Sequence, residues 1–207
     1  MIIPYKVDVL PQRDPSANGT LILLMAGVYG STWVLGDAAF AGFLLDGFSL
    51  PGLFTHMFLH LEMYHLAGNL IFLYVFGNAV NARIGNGNYL IIFIAVGLAS
   101  SVAHIFLADG RALGASGAIN GVVAMFFAFY PRSQVHCLSI IFKTFKLPTP
   151  IIVGMWFVFD IFGLLFANNN VGYAAHVGGF IGGLIVAFTL VRRGKVTGHL
   201  GQPTLFG

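Results

Sequence analysis

The chain has 207 residues, 57% of them hydrophobic and only 8% charged, with ten Lys and Arg against seven acidic groups. A soluble domain carries roughly 25% charged residues, so this chain cannot clothe a water-facing surface and reads as an integral membrane protein. The basic residues are scattered over short loops, which argues against a nucleic-acid face, and the one cysteine, Cys137, excludes an internal disulfide.

Residues 1–18 are polar and hold Pro4, Pro11 and Pro15. They lack the positive start and short apolar core of a cleaved signal peptide, so they read as a cytoplasmic N-terminal segment before an uncleaved first span. A hydrocarbon core about 30 Å thick needs roughly 20 apolar residues per helical span. The apolar runs predict six spans: 20–36 (with an extension toward 45), 57–80, 89–108, 116–130, 148–167 and 172–191. Barrel strands would alternate over about 10 residues, and these runs do not. The expected fold is an all-α membrane protein with one six-helix domain over residues 19–193. Residues 194–207 are expected to form a disordered cytoplasmic tail. Segment 135–146, VHCLSIIFKTFK, mixes apolar and basic residues and is expected to lie along the inner membrane surface.

With the N-terminus inside, Lys6, Arg13, Arg83, Arg132, Lys143, Lys146, Arg192, Arg193 and Lys195 all fall on the inner side, and only Arg111 falls outside. This positive-inside pattern sets the orientation. The fourth span is short. Its residues, 116–130, reach only about 22 Å at 1.5 Å per residue, less than the hydrocarbon core. Arg132 pins its inner end, so the loop from Asp109 to Ala115 is expected to re-enter the membrane from outside. Irregular backbone at that depth is tolerated only against protein or a wet cavity.

Counting from the inner basic residues gives depth. Ser116 is 16 residues from Arg132, His176 is 16 from Arg192, and Asn69 and His65 are 14 and 18 from Arg83. All four lie about 21–27 Å above the inner boundary. Polar groups inside a membrane tend to face the bundle interior and mark function. A serine hydroxyl becomes a nucleophile when a neutral histidine takes its proton, and the resulting oxyanion needs fixed donors. The start of the fourth helix offers free N–H groups, while His65 and Asn69 share one face of the second span. Gly117 and Gly121 form one small-xxx-small pattern, and Gly178/Gly182 and Gly179/Gly183 form two more. Such patterns let membrane helices approach closely, here bringing serine to histidine. Taken singly, Ser116 also fits a helix cap, His176 a tie to a neighbouring carbonyl, and His65 with Asn69 a tie between helices.

Three stretches together, GASG at 114–117, HMFLHLEMYHLAGN at 56–69 and AHVGG at 175–179, resemble the rhomboid intramembrane serine proteases. Order, spacing and span number agree over about residues 19–193. The resemblance implies a six-helix rhomboid-like bundle that acts as a serine endopeptidase on transmembrane protein substrates in the lipid bilayer. It implies Ser116 as nucleophile and His176 as general base. His65 and Asn69, with the backbone around Gly114, Ala115 and Ser116, would bind oxyanion and substrate. It further implies a cavity open to the outer face and substrate access from lipid near spans two and five. No metal, nucleotide or organic cofactor is expected, and the expected location is a bacterial inner membrane with both termini cytoplasmic.

Two positions depart from the family pattern. Pro51-Gly52 replaces a Trp-Arg pair in the first outer loop, and Asn120 replaces a tyrosine four residues after the serine. Asp160 lies about 21 Å from the inner side, counted from Lys146, a depth from which it could orient His176 as a triad acid. The resemblance implies a dyad without an acid, which leaves Asp160 bonded to a neighbouring span or to the outer cavity. On a continuous helix His56 and His65 lie on opposite sides, so His56, His60 and His65 would not share a metal ion. His56 and His60 are expected to bond loop backbone, His104 to be structural, and His136 and His199 to face solvent or an interface. Three other readings stay open: a non-catalytic relative, a channel or transporter, and a structural scaffold.

Overall fold

The computed structural model describes residues 2–139, 141, 143–167, 171–197 and 203–206. In chain order the elements are β1 (Ile2–Val7), α1 (Ser16–Leu35), a 3-10 segment (Asp37–Phe43), α2 (Leu50–Thr55), α3 (Met63–Phe72), α4 (Asn78–Ile84), α5 (Asn86–Leu107) and α6 (Ser116–Phe129). They continue with β2 (Gln134–Ser139), β3 (Thr144–Pro148), α7 (Thr149–Phe166) and α8 (Tyr173–Arg192). Among the described residues, five stretches are long and apolar enough to cross a membrane: α1, the continuous run Met63–Ile84, α5, α7 and α8. The sixth apolar helix, α6, has 14 residues.

Helix α6 is the hub. Most of its residues from Gly117 to Phe129 are buried, while the surrounding helices turn large apolar side chains outward, among them Leu23, Ile91 and Phe166. Such an outer surface suits lipid rather than water. Helix α8 packs through two glycine faces. Gly179 and Gly183 lie against the backbone carbonyls of Gly117 and Gly121 in α6, and Gly178 and Gly182 lie against Ala103 and Ala99 in α5. A side chain at any of the four would meet its neighbour, so these glycines set the distances between the three helices.

The second span differs from the expected run over 57–80. Its helix begins at Met63, because the chain first forms α2, a 3-10 turn at His56–Phe58 and an extended link. A π-helical turn, Leu73–Gly77, joins α3 to α4. Asn18 of α1 attends it: the amide donates to Leu73 O and Asn78 Oδ1, both at 2.8 Å, and accepts from Tyr89 OH at 2.7 Å. A π turn leaves ladder groups to satisfy, and the buried amide does so where water is absent.

The protein is mostly helical but not all-α. Segment 135–146, expected to lie along the inner membrane surface, takes part in a sheet. It contributes β2 and β3, which pair antiparallel, and β1 from the N-terminal segment pairs with the other edge of β2, giving the order β1-β2-β3. Val135 and Cys137 on one face of β2 and His136 on the other are all buried, so this stretch of the strand is covered on both sides. His136, expected to face solvent or an interface, is buried and sits 2.7 Å from Asp8 Oδ1. Within the tail, residues 198–202 and 207, with His199, lie outside the described residues. Leu205 N donates to Ala128 O at 2.8 Å, and the Phe206 ring meets Phe188 at 5.3 Å.

Candidate active site

Ser116 is the first residue of α6, and Ala115 occupies the cap position with no side chain capping the helix. The serine hydroxyl is therefore not spent on its own helix. Its Oγ lies 2.9 Å from His176 Nε2 on α8. As the first helical residue, Ser116 offers an N–H without an intrahelical acceptor at the positive end of the helix dipole.

The loop before Ser116 is held at three points. Leu45 and Ala112 exchange backbone hydrogen bonds, Leu45 N to Ala112 O at 2.9 Å and Ala112 N to Leu45 O at 3.1 Å. Gly114 N donates to His56 O at 2.9 Å. At the exposed surface, Arg111 Nε donates to Asp46 Oδ2 at 2.8 Å. Gly114 itself has φ of +106°, a conformation that L side chains rarely adopt. Its bare face is where His65 and Asn69 arrive: a Cβ there would lie 2.6 Å from His65 Cε1 and 3.7 Å from Asn69 Nδ2. His65, Asn69, Gly114, Ala115, Ser116 and His176 thus gather at one place from α3, the loop, α6 and α8.

The segment from Phe43 to His56 is anchored without a Trp-Arg pair. Leu50 starts α2, Pro51 follows in its first turn, and Ser49 is the N-cap. Gly52 packs so closely on the Leu44 backbone that no Cβ would fit. Thr55 Oγ1 donates to Phe43 O at 2.7 Å, and His56 Nδ1 meets Gly52 O at 2.8 Å. His56 thus bonds the backbone of the short helix α2, one turn back, rather than a loop. His60 Nε2 accepts from Asn69 Nδ2 at 2.7 Å. His104 Nε2 meets Gly110 O at 3.2 Å, a tie between α5 and the loop. Asn120 donates to Ser116 O at 3.1 Å, four residues back on its own helix. Because the helix is interrupted before Met63, His60 comes within 5.1 Å of His65, ring to ring.

A family model described as the Rhomboid domain matches residues 48–193. The chain belongs to the rhomboid family. Among its relatives, rhomboid protease GluP of Bacillus subtilis is 32% identical over 139 residues, covering 67% of this chain and 25% of GluP. Rhomboid protease GlpG of Klebsiella pneumoniae is 31% identical over 147 residues, covering 69% of this chain and 49% of GlpG. RHOMBOID-like protein 12, mitochondrial, of Arabidopsis thaliana is 27% identical over 175 residues, covering 73% and 50%. The chain spans a quarter to a half of the length of these relatives. Rhomboid membership and the five apolar helices make it an integral membrane protein.

Two neighbours of the candidate site were not singled out among its residues from sequence. His60 holds the Asn69 amide, and Asp160 of α7 touches His176, its Oδ1 2.8 Å from Nδ1. Depth counting drew attention to Asp160. Nothing in the spacing signalled His60, because its contact depends on the break before α3.

Proposed function

We propose that the chain is an intramembrane serine endopeptidase that cleaves transmembrane segments of membrane proteins. The observation that carries the proposal is the 2.9 Å contact between Ser116 Oγ and His176 Nε2. A hydroxyl and an imidazole at that distance, on different helices of an apolar bundle, form a nucleophile with its base. His176 Nε2 takes the Oγ proton as Oγ attacks the scissile carbonyl carbon. The carbonyl oxygen becomes an oxyanion, held by Ser116 N–H, His65 and Asn69. His176 then returns the proton to the leaving amine and an acyl-enzyme remains. Water, deprotonated by the same histidine, attacks the ester, and Ser116 recovers its proton as the acid product leaves.

The same proposal includes the architecture around the site. The short α6 counts as a sixth span, and the loop 109–115 re-enters from the outer side to meet it. The site opens to the extracytoplasmic face, and residues 1–18 and 194–207 flank the membrane domain on the cytoplasmic side of a bacterial inner membrane. Substrates with small or helix-weakening residues near the cut suit the site, because a peptide bond in an intact helix is closed to attack.

Labelling of the detergent-solubilised protein with a fluorophosphonate tests this reading, with the modified peptide identified by mass spectrometry. Modification at Ser116 that disappears in Ser116→Ala and His176→Ala is the expected result. A folded protein that neither labels nor cuts a transmembrane test peptide would return Ser116 to the role of a helix-start residue.

A further inference from the structure

Asp160 has no place in the mechanism above, yet it touches the reacting pair. Its Oδ1 lies 2.8 Å from His176 Nδ1, and the two side chains are only 14% and 15% exposed. A carboxylate accepts from an imidazole N–H, and a bond of that kind places the His176 proton on Nδ1. Nε2 then presents its lone pair to the Ser116 hydroxyl at 2.9 Å.

We propose that Asp160 is a positioning residue for His176, fixing the tautomer and ring direction that Ser116 needs and balancing the imidazolium formed when the serine proton moves. The inference rests on the serine-protease reading above. In the step itself the proton passes from Ser116 Oγ to His176 Nε2, and Asp160 keeps its charge throughout.

Three things support more than a chance contact. First, α7 and α8 run antiparallel with a regular series of contacts. Phe157 stacks on Phe180 with ring centroids 4.2 Å apart, Asp160 meets His176, and Gly163 lies against the Tyr173 ring. The carboxylate is held in register by a rung on each side. Second, the imidazole is boxed rather than loosely tied, since the Tyr173 ring stands edge-on to it at 6.1 Å. The Asn120 amide donates to Ser116 O. Third, a carboxylate within a span is costly, and a neutral Asn or Ser could tie two helices at less expense. A negative charge at this atom gains most when its partner becomes positive, which is what a general base does.

The test uses the full chain in liposomes, with a fluorogenic transmembrane peptide carrying Gly and Ala near its outer end as substrate. Wild type, Asp160→Asn and Asp160→Glu are compared for kcat, KM and fluorophosphonate labelling rate, with Ser116→Ala as the blank and thermal unfolding as the check on folding. Asp160→Asn should lose roughly 10²–10⁴-fold in kcat with KM nearly unchanged. Labelling should slow in parallel, and Asp160→Glu should recover part of both. Asp160→Ser, a smaller neutral variant, should lose as much and serves if the amide unfolds the bundle. Neutral variants that match wild type in kcat and labelling, or that alter KM alone, overturn the role of Asp160 while leaving the serine-protease reading intact. A folded wild type that neither labels nor cleaves overturns that reading, and the Asp160 proposal with it.

Discussion

Gly179 of α8 lies against the Gly117 carbonyl of α6 so closely that no Cβ fits between them. Ser116 and His176 stand just beyond this contact, so the approach of the two backbones also sets the 2.9 Å serine–histidine distance. Gly179→Val should therefore damage packing and site together. Overpacking a tight core costs about 1–3 kcal/mol, which thermal unfolding would register, and labelling of Ser116 should slow. Wild-type labelling in a destabilised Gly179→Val protein would mean that α8 shifts without disturbing the pair.

Gly114→Ala should act on the site with little effect on the bundle. The substitution forces a left-handed φ on a residue with a Cβ, a strain of about 1–2 kcal/mol, and drives that Cβ into His65. We expect kcat for the test peptide to fall by at least about ten-fold as the oxyanion donors are displaced. Gly68→Ala is the control, because nothing lies within 4 Å of a Cβ there. Equal activity in the two variants would remove Gly114 from the site.

Asn69 and His60 should separate a donor from the group that holds it. Loss of one oxyanion donor typically costs 10²–10³ in kcat, so Asn69→Ala should fall by about that much. His60→Ala leaves the amide in place but releases the 2.7 Å bond that orients it, so its loss should be smaller. Steady-state kinetics on both variants and the double variant would check this. The double variant should be little worse than Asn69→Ala, because His60 acts through Asn69.

Away from the membrane spans, the sheet should respond to acid. The hydrogen bond from the His136 ring holds the Asp8 carboxyl below its usual value of 3.8. A carboxyl with a depressed folded pKa adds stability above its unfolded pKa and loses it as pH falls through the folded value. The melting difference between wild type and Asp8→Asn should hold at neutral pH and close as pH drops below about 4. A difference that persists unchanged at low pH would show that the Asp8 charge does not hold β1 to β2.

The sequence by itself determined the membrane class, the apolar helices, the polar layer and the glycine faces. Each of these follows from local composition and helical period: depth is residue count times rise, and a face is residue count times rotation. The structure brings His65, Asn69, Gly114, Ser116 and His176 together on those terms. Only the tertiary structure decided the rest. β1 pairs with a strand more than 120 residues away, a partner that no local pattern in segment 135–146 names. The bond between His60 and Asn69 needs the helix break before Met63, which no apolar period reveals. Depth could bring Asp160 to the level of His176 but not to its side. Which way α7 faces is set by Phe157 on Phe180 and Gly163 on Tyr173, and helix rotation is a property of packed neighbours rather than of one helix's own residues.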